Sequence, residues 1–172
     1  AASERVAGQR FDAQAVLGLR MIVEELILPN RSPQYRQWTR ELLQSMEWNP
    51  QYERVPLFRR VKPYLEGLLW VSDGNMEKAI PLLVLAMDRY ADTDTALSIV
   101  AHLGNTGHPV EALQLLVRAQ GIYERQPVSK LKRPKAVYDA EIPRLRLLLE
   151  EDARVMQNAA ISSRPDPVPH VP

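Results

Sequence analysis

The stretch that decides the fold is Gly74–Ile80 (GNMEKAI), which Gly107–Leu113 (GHPVEAL) echoes at a spacing of 33 residues. In each copy, a Gly is followed five residues later by an Ala, then by a Leu, then by a second Ala. The two triplets are Ala79, Leu83 and Ala86, and Ala112, Leu116 and Ala119. Spacings of three and four residues place each triplet on one helix face. The small residues let a neighbouring helix approach closely, so the pattern predicts two successive helical units.

This pattern resembles the second helix of a tetratricopeptide repeat, a family whose units are about 34 residues long. The resemblance is clearest over residues 60–126, as repeats 60–92 and 93–126. Gly67 and Trp70 match the small and aromatic positions of the preceding helix. Pro63 and Glu66 depart from that pattern, and the corresponding positions of the second repeat match less well. The resemblance implies stacked helix pairs that bind a partner protein, while a generic antiparallel helix bundle stays open as the alternative.

In the rest of the sequence, Pro and Gly residues mark the predicted ends of helices. We expect an all-α fold of about seven helices, arranged as antiparallel pairs in a short solenoid. The predicted helices are 3–28, 33–47, 57–71, 75–90, 93–103, 109–125 and a last region from about 130 to 161, which Pro143 should bend or split. In domain terms, residues 1–161 form one domain with a degenerate N-terminal unit (1–56) and C-terminal capping helices (130–161). A Pro-rich, extended tail (162–172) follows.

Composition excludes several classes of function. Of 172 residues, 45% are apolar and 25% charged, as in ordinary globular domains, and the net charge is only +1. A general nucleic-acid binder shows a large basic excess, so nucleic acid is not the expected partner. Cysteine is absent, which excludes disulfides and thiolate chemistry. No apolar run is long enough to span a membrane.

No motif points to catalysis, a cofactor or a metal. His102 and His108 do not share the helix face that a metal site would use, and His170 lies in the tail. The segment 104–107 (GNTG) is a helix connection rather than a phosphate loop. Consecutive acidic residues at 150–152 point in different directions along a helix, so they form a solvated face. We therefore expect no enzyme activity, no cofactor and no metal.

A solenoid of helix pairs exposes a surface built from the first helix of each pair. In the two repeats we predict that this surface binds a peptide or helix of a partner. Its residues are Arg59, Arg60, Lys62, Tyr64, Asp94, Ser98 and His102. A basic connector at 129–135 and the Pro-rich segment 164–172 are further candidate contact segments, although a solvated linker and an ordinary terminus explain them as well.

The expected function is thus a non-enzymatic adaptor, scaffold or assembly factor. The chain begins with Ala1 rather than Met, so we expect a fragment or a chain whose leader has been removed. This start favours a bacterial periplasm or cell envelope over the cytoplasm. The alternative function is a domain of a larger membrane-anchored enzyme or envelope assembly whose catalytic part lies elsewhere.

Overall fold

The computed structural model describes residues 14–21, 24, 33–48, 52 and 55–162. Every regular element in this part of the chain is helical, which confirms the predicted all-α class. The helices are α1 (residues 14–21), α2 (Pro33–Glu47), α3 (Pro56–Ser72), α4 (Met76–Tyr90), α5 (Thr93–Asn105), α6 (Pro109–Arg125) and α7 (Lys135–Ser162), with a 3-10 turn at Val128–Lys130. The rest of the predicted first helix and the Pro-rich tail lie outside the described residues.

Proline sets where several helices begin. α2, α3 and α6 start at Pro33, Pro56 and Pro109, respectively. Proline suits a first helical position because its fixed φ matches the helix and its missing N–H would have no intrahelical partner there. The predicted bounds of α2 and α6 match the observed ones.

Prolines also lie inside helices. Pro63 lies inside α3, so it does not mark the start of that helix, and Pro143 lies inside α7. The sequence predicts a bend or a split at Pro143; the split does not occur, since α7 is one continuous helix from Lys135 to Ser162. An internal proline removes one N–H and thereby leaves the carbonyl four residues earlier without its helical donor. Pro63 does this to the carbonyl of Arg59.

The two echoed segments form the same turn. Gly74 has φ +72° and Gly107 has φ +84°, the left-handed conformation that Gly adopts without a Cβ penalty. The N–H of each Gly donates to the carbonyl three residues back, and the next N–H donates to the carbonyl five residues back. The distances are 2.9 and 2.9 Å after α3, and 3.1 and 2.9 Å after α5. Both helices therefore end in a Schellman motif.

The chain divides into two compact units, Ala1–Thr95 and Ala96–Pro172. In the first unit, α3 and α4 pack as an antiparallel pair joined by the Gly74 turn. Gly67 lies against Leu83, and a Cβ added to Gly67 would lie 2.6 Å from Leu83 Cδ2. Ala79, Leu83 and Ala86 are fully buried, so this triplet forms the seam that the sequence predicted.

In the second unit, α6 packs against α7. Ala112, Leu116 and Ala119 are fully buried, as their counterparts in α4 are. Arg146 Nη2 of α7 donates to Gln120 Oε1 of α6 at 2.9 Å. Consecutive helices thus pack against one another within each unit, as expected for a solenoid-like fold.

Candidate functional site

A recess of about 430 Å³ opens between α3 and α4, with the end of α2 at its edge. Its floor, Phe58 and Pro63, is buried and apolar, whereas its exposed rim carries Glu47, Arg59 and Arg89 together with the apolar Leu85. The apolar lining consists of Phe58, Pro63, Leu82 and Leu85, and the charged lining of Glu47, Arg59, Lys62, Glu66 and Arg89. Three cations against two carboxylates give the recess one net positive charge.

Pro63 shapes this recess through the backbone. Because Pro63 has no N–H, the carbonyl of Arg59 lacks its helical donor. Arg89 of α4 supplies the missing donor, since its Nη1 lies 2.6 Å from that oxygen. This bond fixes one end of the guanidinium, and a guanidinium carries five N–H donors in all. The proline that departs from the repeat pattern therefore positions a cation at the rim.

Lys62 holds the two acids of the recess. Its Nζ lies 3.3 Å from Glu47 Oε1 and 3.1 Å from Glu66 Oε1. The Glu66 pair lies within α3, whereas the Glu47 pair joins α2 to α3. Lys62 thus offsets one of the two carboxylate charges, and with Arg59 and Arg89 included the net charge of the recess is positive.

Two of the four residues predicted on α3, Arg59 and Lys62, line this recess. Arg60 is exposed but lies outside the lining. Tyr64 is buried, and its hydroxyl donates to Glu24 Oε1 at 2.6 Å. The structure therefore brings together only part of the predicted α3 set.

Tyr64 belongs to a polar cluster that joins the N-terminal segment to α3 and α4. The guanidinium of Arg20 lies 5.0 Å from the Tyr64 ring centroid and 5.6 Å from that of Tyr90. Arg20 Nε donates to the same Glu24 Oε1 at 3.1 Å. Burial raises the pKa of Tyr64, and the hydrogen bond to Glu24 raises it further. Burial also raises the pKa of Tyr90.

The predicted residues of α5 occupy one side of that helix. Asp94, Ser98 and His102 follow one another at intervals of four, so they share a face. Ser98 is exposed, and the other two are half-buried. The opposite side of α5 is buried through Ala96, Ile99, Val100 and Leu103. These three residues therefore lie on the less buried side of α5, and of the three only Ser98 is exposed.

A contact that the sequence did not indicate attaches α2 to α3. Arg36 Nε lies 2.8 Å from Asp73 Oδ1, and Arg40 pairs with the other carboxylate oxygen. The Arg40 guanidinium also lies 4.6 Å from the Trp70 ring centroid, and Lys78 Nζ lies 4.3 Å from it. The Trp70 ring thus contacts two cations. Both arginines of α2 are directed towards the protein.

The basic connector at 129–135 is partly neutralised by α7. Lys135 Nζ lies 2.8 Å from both carboxylate oxygens of Asp139, which also accepts a 2.6 Å hydrogen bond from Tyr123. Arg133 pairs with Glu141 at 2.6 Å. The hydrogen bond to Asp139 raises the pKa of Tyr123. Arg133 and Lys135 of this connector therefore have acidic partners within the chain.

Within the described residues, no group of three or more His, Asp or Glu side chains is arranged to hold a metal ion. None of the helices in the described ranges is sufficiently long and apolar to cross a bilayer. No protein-family model, no curated protein sequence and no solved structure matches this chain.

Proposed function

We propose that this chain is a non-enzymatic protein-interaction module of the tetratricopeptide type, an adaptor, scaffold or assembly factor, that binds a partner peptide in the α3–α4 recess. The observation that carries this proposal is the composition of the recess. Its apolar floor can bury a nonpolar side chain, while Arg59 and Arg89 at the rim suit a neighbouring carboxylate. A combination of apolar burial and directional charge is typical of peptide-binding sites.

The repeated turn supports the family assignment. Gly74 and Gly107 end their helices with the same hydrogen bonds, and the following helices bury equivalent Ala-Leu-Ala triplets. Such identity at a spacing of 33 residues is typical of repeat architectures. The internal pairing of Arg133 and Lys135 supports a protein partner over nucleic acid, because paired cations contribute less to phosphate binding.

The test is a selection of random peptides displayed on phage against the intact chain, followed by fluorescence polarisation with the enriched peptide. We expect enriched sequences to carry an Asp or Glu next to a large apolar residue. Arg59→Glu should weaken binding about tenfold or more, because it reverses a charge at the rim.

The matched control is Arg60→Glu, which makes the same charge change one residue away but outside the recess. It should leave the dissociation constant within about twofold of the parent, a change of under 0.5 kcal/mol. If both variants weaken binding equally, or no acidic–apolar motif is enriched, the recess is not the binding site.

A further inference from the structure

A second surface lies on the outer side of α2. Tyr35 is 42% exposed, Trp38 is 54% exposed and Leu42 is 47% exposed. Spacings of three and four residues place these side chains on one face, and the two aromatic rings form an edge-to-face pair with centroids 5.6 Å apart. Trp48, just beyond the helix, is 79% exposed. We call Tyr35, Trp38 and Leu42 the α2 aromatic face.

The exposed side chains of the α2 aromatic face are not the ones through which α2 packs into its unit. α2 already buries Thr39, Leu43 and Met46 against the remainder of its unit. The α2 aromatic face lies beside that buried stripe and continues it towards solvent. Tyr and Trp concentrate at the centres of protein interfaces, because they combine large contact area with few rotatable bonds. A contiguous exposed set of this kind is typical of a docking surface.

The charged residues next to the α2 aromatic face indicate the kind of partner that it would bind. Arg36 and Arg40 are both directed to Asp73, so neither contributes to the outer side of α2. The outer side carries Glu41, whose side-chain hydrogen bond, at 2.9 Å, comes from the neutral amide of Gln37 rather than from a cation. Glu41 follows Trp38 by three residues, which places the carboxylate next to the indole on the helix surface. An exposed indole and an adjacent carboxylate both attract a cation.

We infer that the α2 aromatic face is a second docking surface, and that its occupant is a partner-protein segment carrying Lys or Arg beside a large apolar side chain. The apolar side chain packs on Trp38 and Leu42, and the cation lies between the indole and Glu41. This chemistry is opposite in sign to that of the α3–α4 recess. It disfavours an anionic membrane surface, which would meet the acidic side of α2. The inference is independent of the proposed function, since it uses different residues.

The test uses two synthetic amphipathic peptides of equal length and leucine spacing, one with lysine and one with glutamate at the polar positions. Isothermal titration calorimetry on the intact chain should give binding of the leucine–lysine peptide about tenfold tighter than binding of the leucine–glutamate peptide. Trp38→Ala should weaken the leucine–lysine complex about tenfold, as for the truncation of a central interface aromatic. Glu41→Lys should reverse the preference between the two peptides.

Two control variants lie elsewhere on the surface. Leu147→Ala removes an exposed apolar side chain of α7, and Glu150→Lys makes the same charge change as Glu41→Lys. Neither should change either dissociation constant, and circular dichroism should show that all four variants keep the parent helix content. Equal binding of the two peptides, or equal effects of Trp38→Ala and Leu147→Ala, would overturn the inference.

Two further outcomes would assign the face to another occupant and also overturn the inference. One is sedimentation with phosphatidylglycerol vesicles that Trp38→Ala abolishes, which would indicate a lipid surface. The other is a dimer in analytical ultracentrifugation that Trp38→Ala dissociates, which would indicate a second copy of the chain.

Discussion

Arg89 donates a hydrogen bond to the backbone carbonyl of Arg59 at 2.6 Å, and this carbonyl is the one that Pro63 deprives of its helical donor. A side chain of α4 thus replaces a backbone donor of α3. Since the acceptor is a main-chain oxygen, the identity of the side chain at position 59 does not affect the bond. The interaction ties the packing of the α3–α4 pair to the shape of the recess.

We predict that Arg89→Met lowers the free energy of unfolding by about 1 kcal/mol, the net contribution of an ordinary hydrogen bond. In a Pro63→Ala background the same substitution should have little effect, because an alanine in place of the proline restores the backbone N–H of α3. Urea denaturation of the parent, the two single variants and the double variant measures this coupling. Additive effects of the two substitutions would show that Arg89 does not serve as the substitute donor.

The contact between Gly67 and Leu83 gives a second prediction. A Cβ on residue 67 would lie 2.6 Å from one side-chain atom of the fully buried Leu83 and 2.8 Å from another, so Leu83 or its helix would have to shift. Gly67→Ala should therefore destabilise the fold by about 1–3 kcal/mol, the usual cost of overpacking. Thermal denaturation monitored by circular dichroism would show the lowered midpoint.

Gly121→Ala is the matched control for that substitution. Gly121 also lies inside a helix, but a Cβ there meets nothing within 4 Å. Replacing it should stabilise the fold by about 0.5–1 kcal/mol, because Ala loses less backbone entropy in a helix. Loss of stability in both variants would mean that helix propensity and close packing cannot be separated in this way.

The equivalence of the two turns is testable at Gly74 and Gly107. Both have positive φ and both are surrounded by open space, so an added Cβ causes strain through the backbone alone. Alanine at either position should cost about 1–2 kcal/mol, the penalty of the left-handed conformation for an L-residue. Asparagine should cost less, since it tolerates this conformation better. Markedly different costs at the two sites would argue that the turns are only superficially alike.

Stability should fall at alkaline pH because of Tyr64 and Tyr90. Their pKa values are raised in the folded state, mainly by burial, and for Tyr64 also by Glu24. Tyrosines of the unfolded chain lose their protons near pH 10, about where the folded protein still retains them. The contribution of these two protonated tyrosines to the free energy of unfolding is thus fully present below about pH 10. It is lost as the pH rises towards their pKa values in the folded protein.

Tyr64→Phe should reduce this alkaline loss, because one of the two buried hydroxyls is gone. Urea denaturation at about pH 8 and about pH 11 measures the difference in unfolding free energy for each protein. The variant should be less stable at the lower pH, since Glu24 loses a donor, yet decline less on going to the higher pH. An equal decline in both proteins would exclude Tyr64 as a source of the pH dependence.

Local signals predicted the helices well. Pro33 and Pro109 gave the starts of α2 and α6, and Gly74 and Gly107 gave the turns, because backbone stereochemistry at Pro and Gly depends on few neighbours. The buried triplets followed from the spacing of Ala and Leu. Closeness in the sequence did not predict which of the α3 residues lie together in the recess. Arg59 and Lys62 line one recess, whereas Tyr64 is buried on another side of α3.

The partners of Tyr64 and Asp73 show why the rest was missed. Glu24 lies 40 positions before Tyr64, and Arg40 lies 33 positions before Asp73. Nothing in a single sequence indicates which distant acid a given hydroxyl or guanidinium will meet. The role of Pro63 was equally hidden, because it depends on Arg89 reaching the Arg59 carbonyl across the helix pair.

Because Arg36 and Arg40 are directed inward, these two cations and the carboxylate of Glu41 lie on different sides of α2. By count, its two arginines balance Glu41 and Glu47, so the helix is neutral. Yet the cations face Asp73, while Glu41 is exposed to solvent. An approaching molecule therefore encounters a negative potential from a segment whose formal charge is zero, and the sign of that potential depends on the direction of approach.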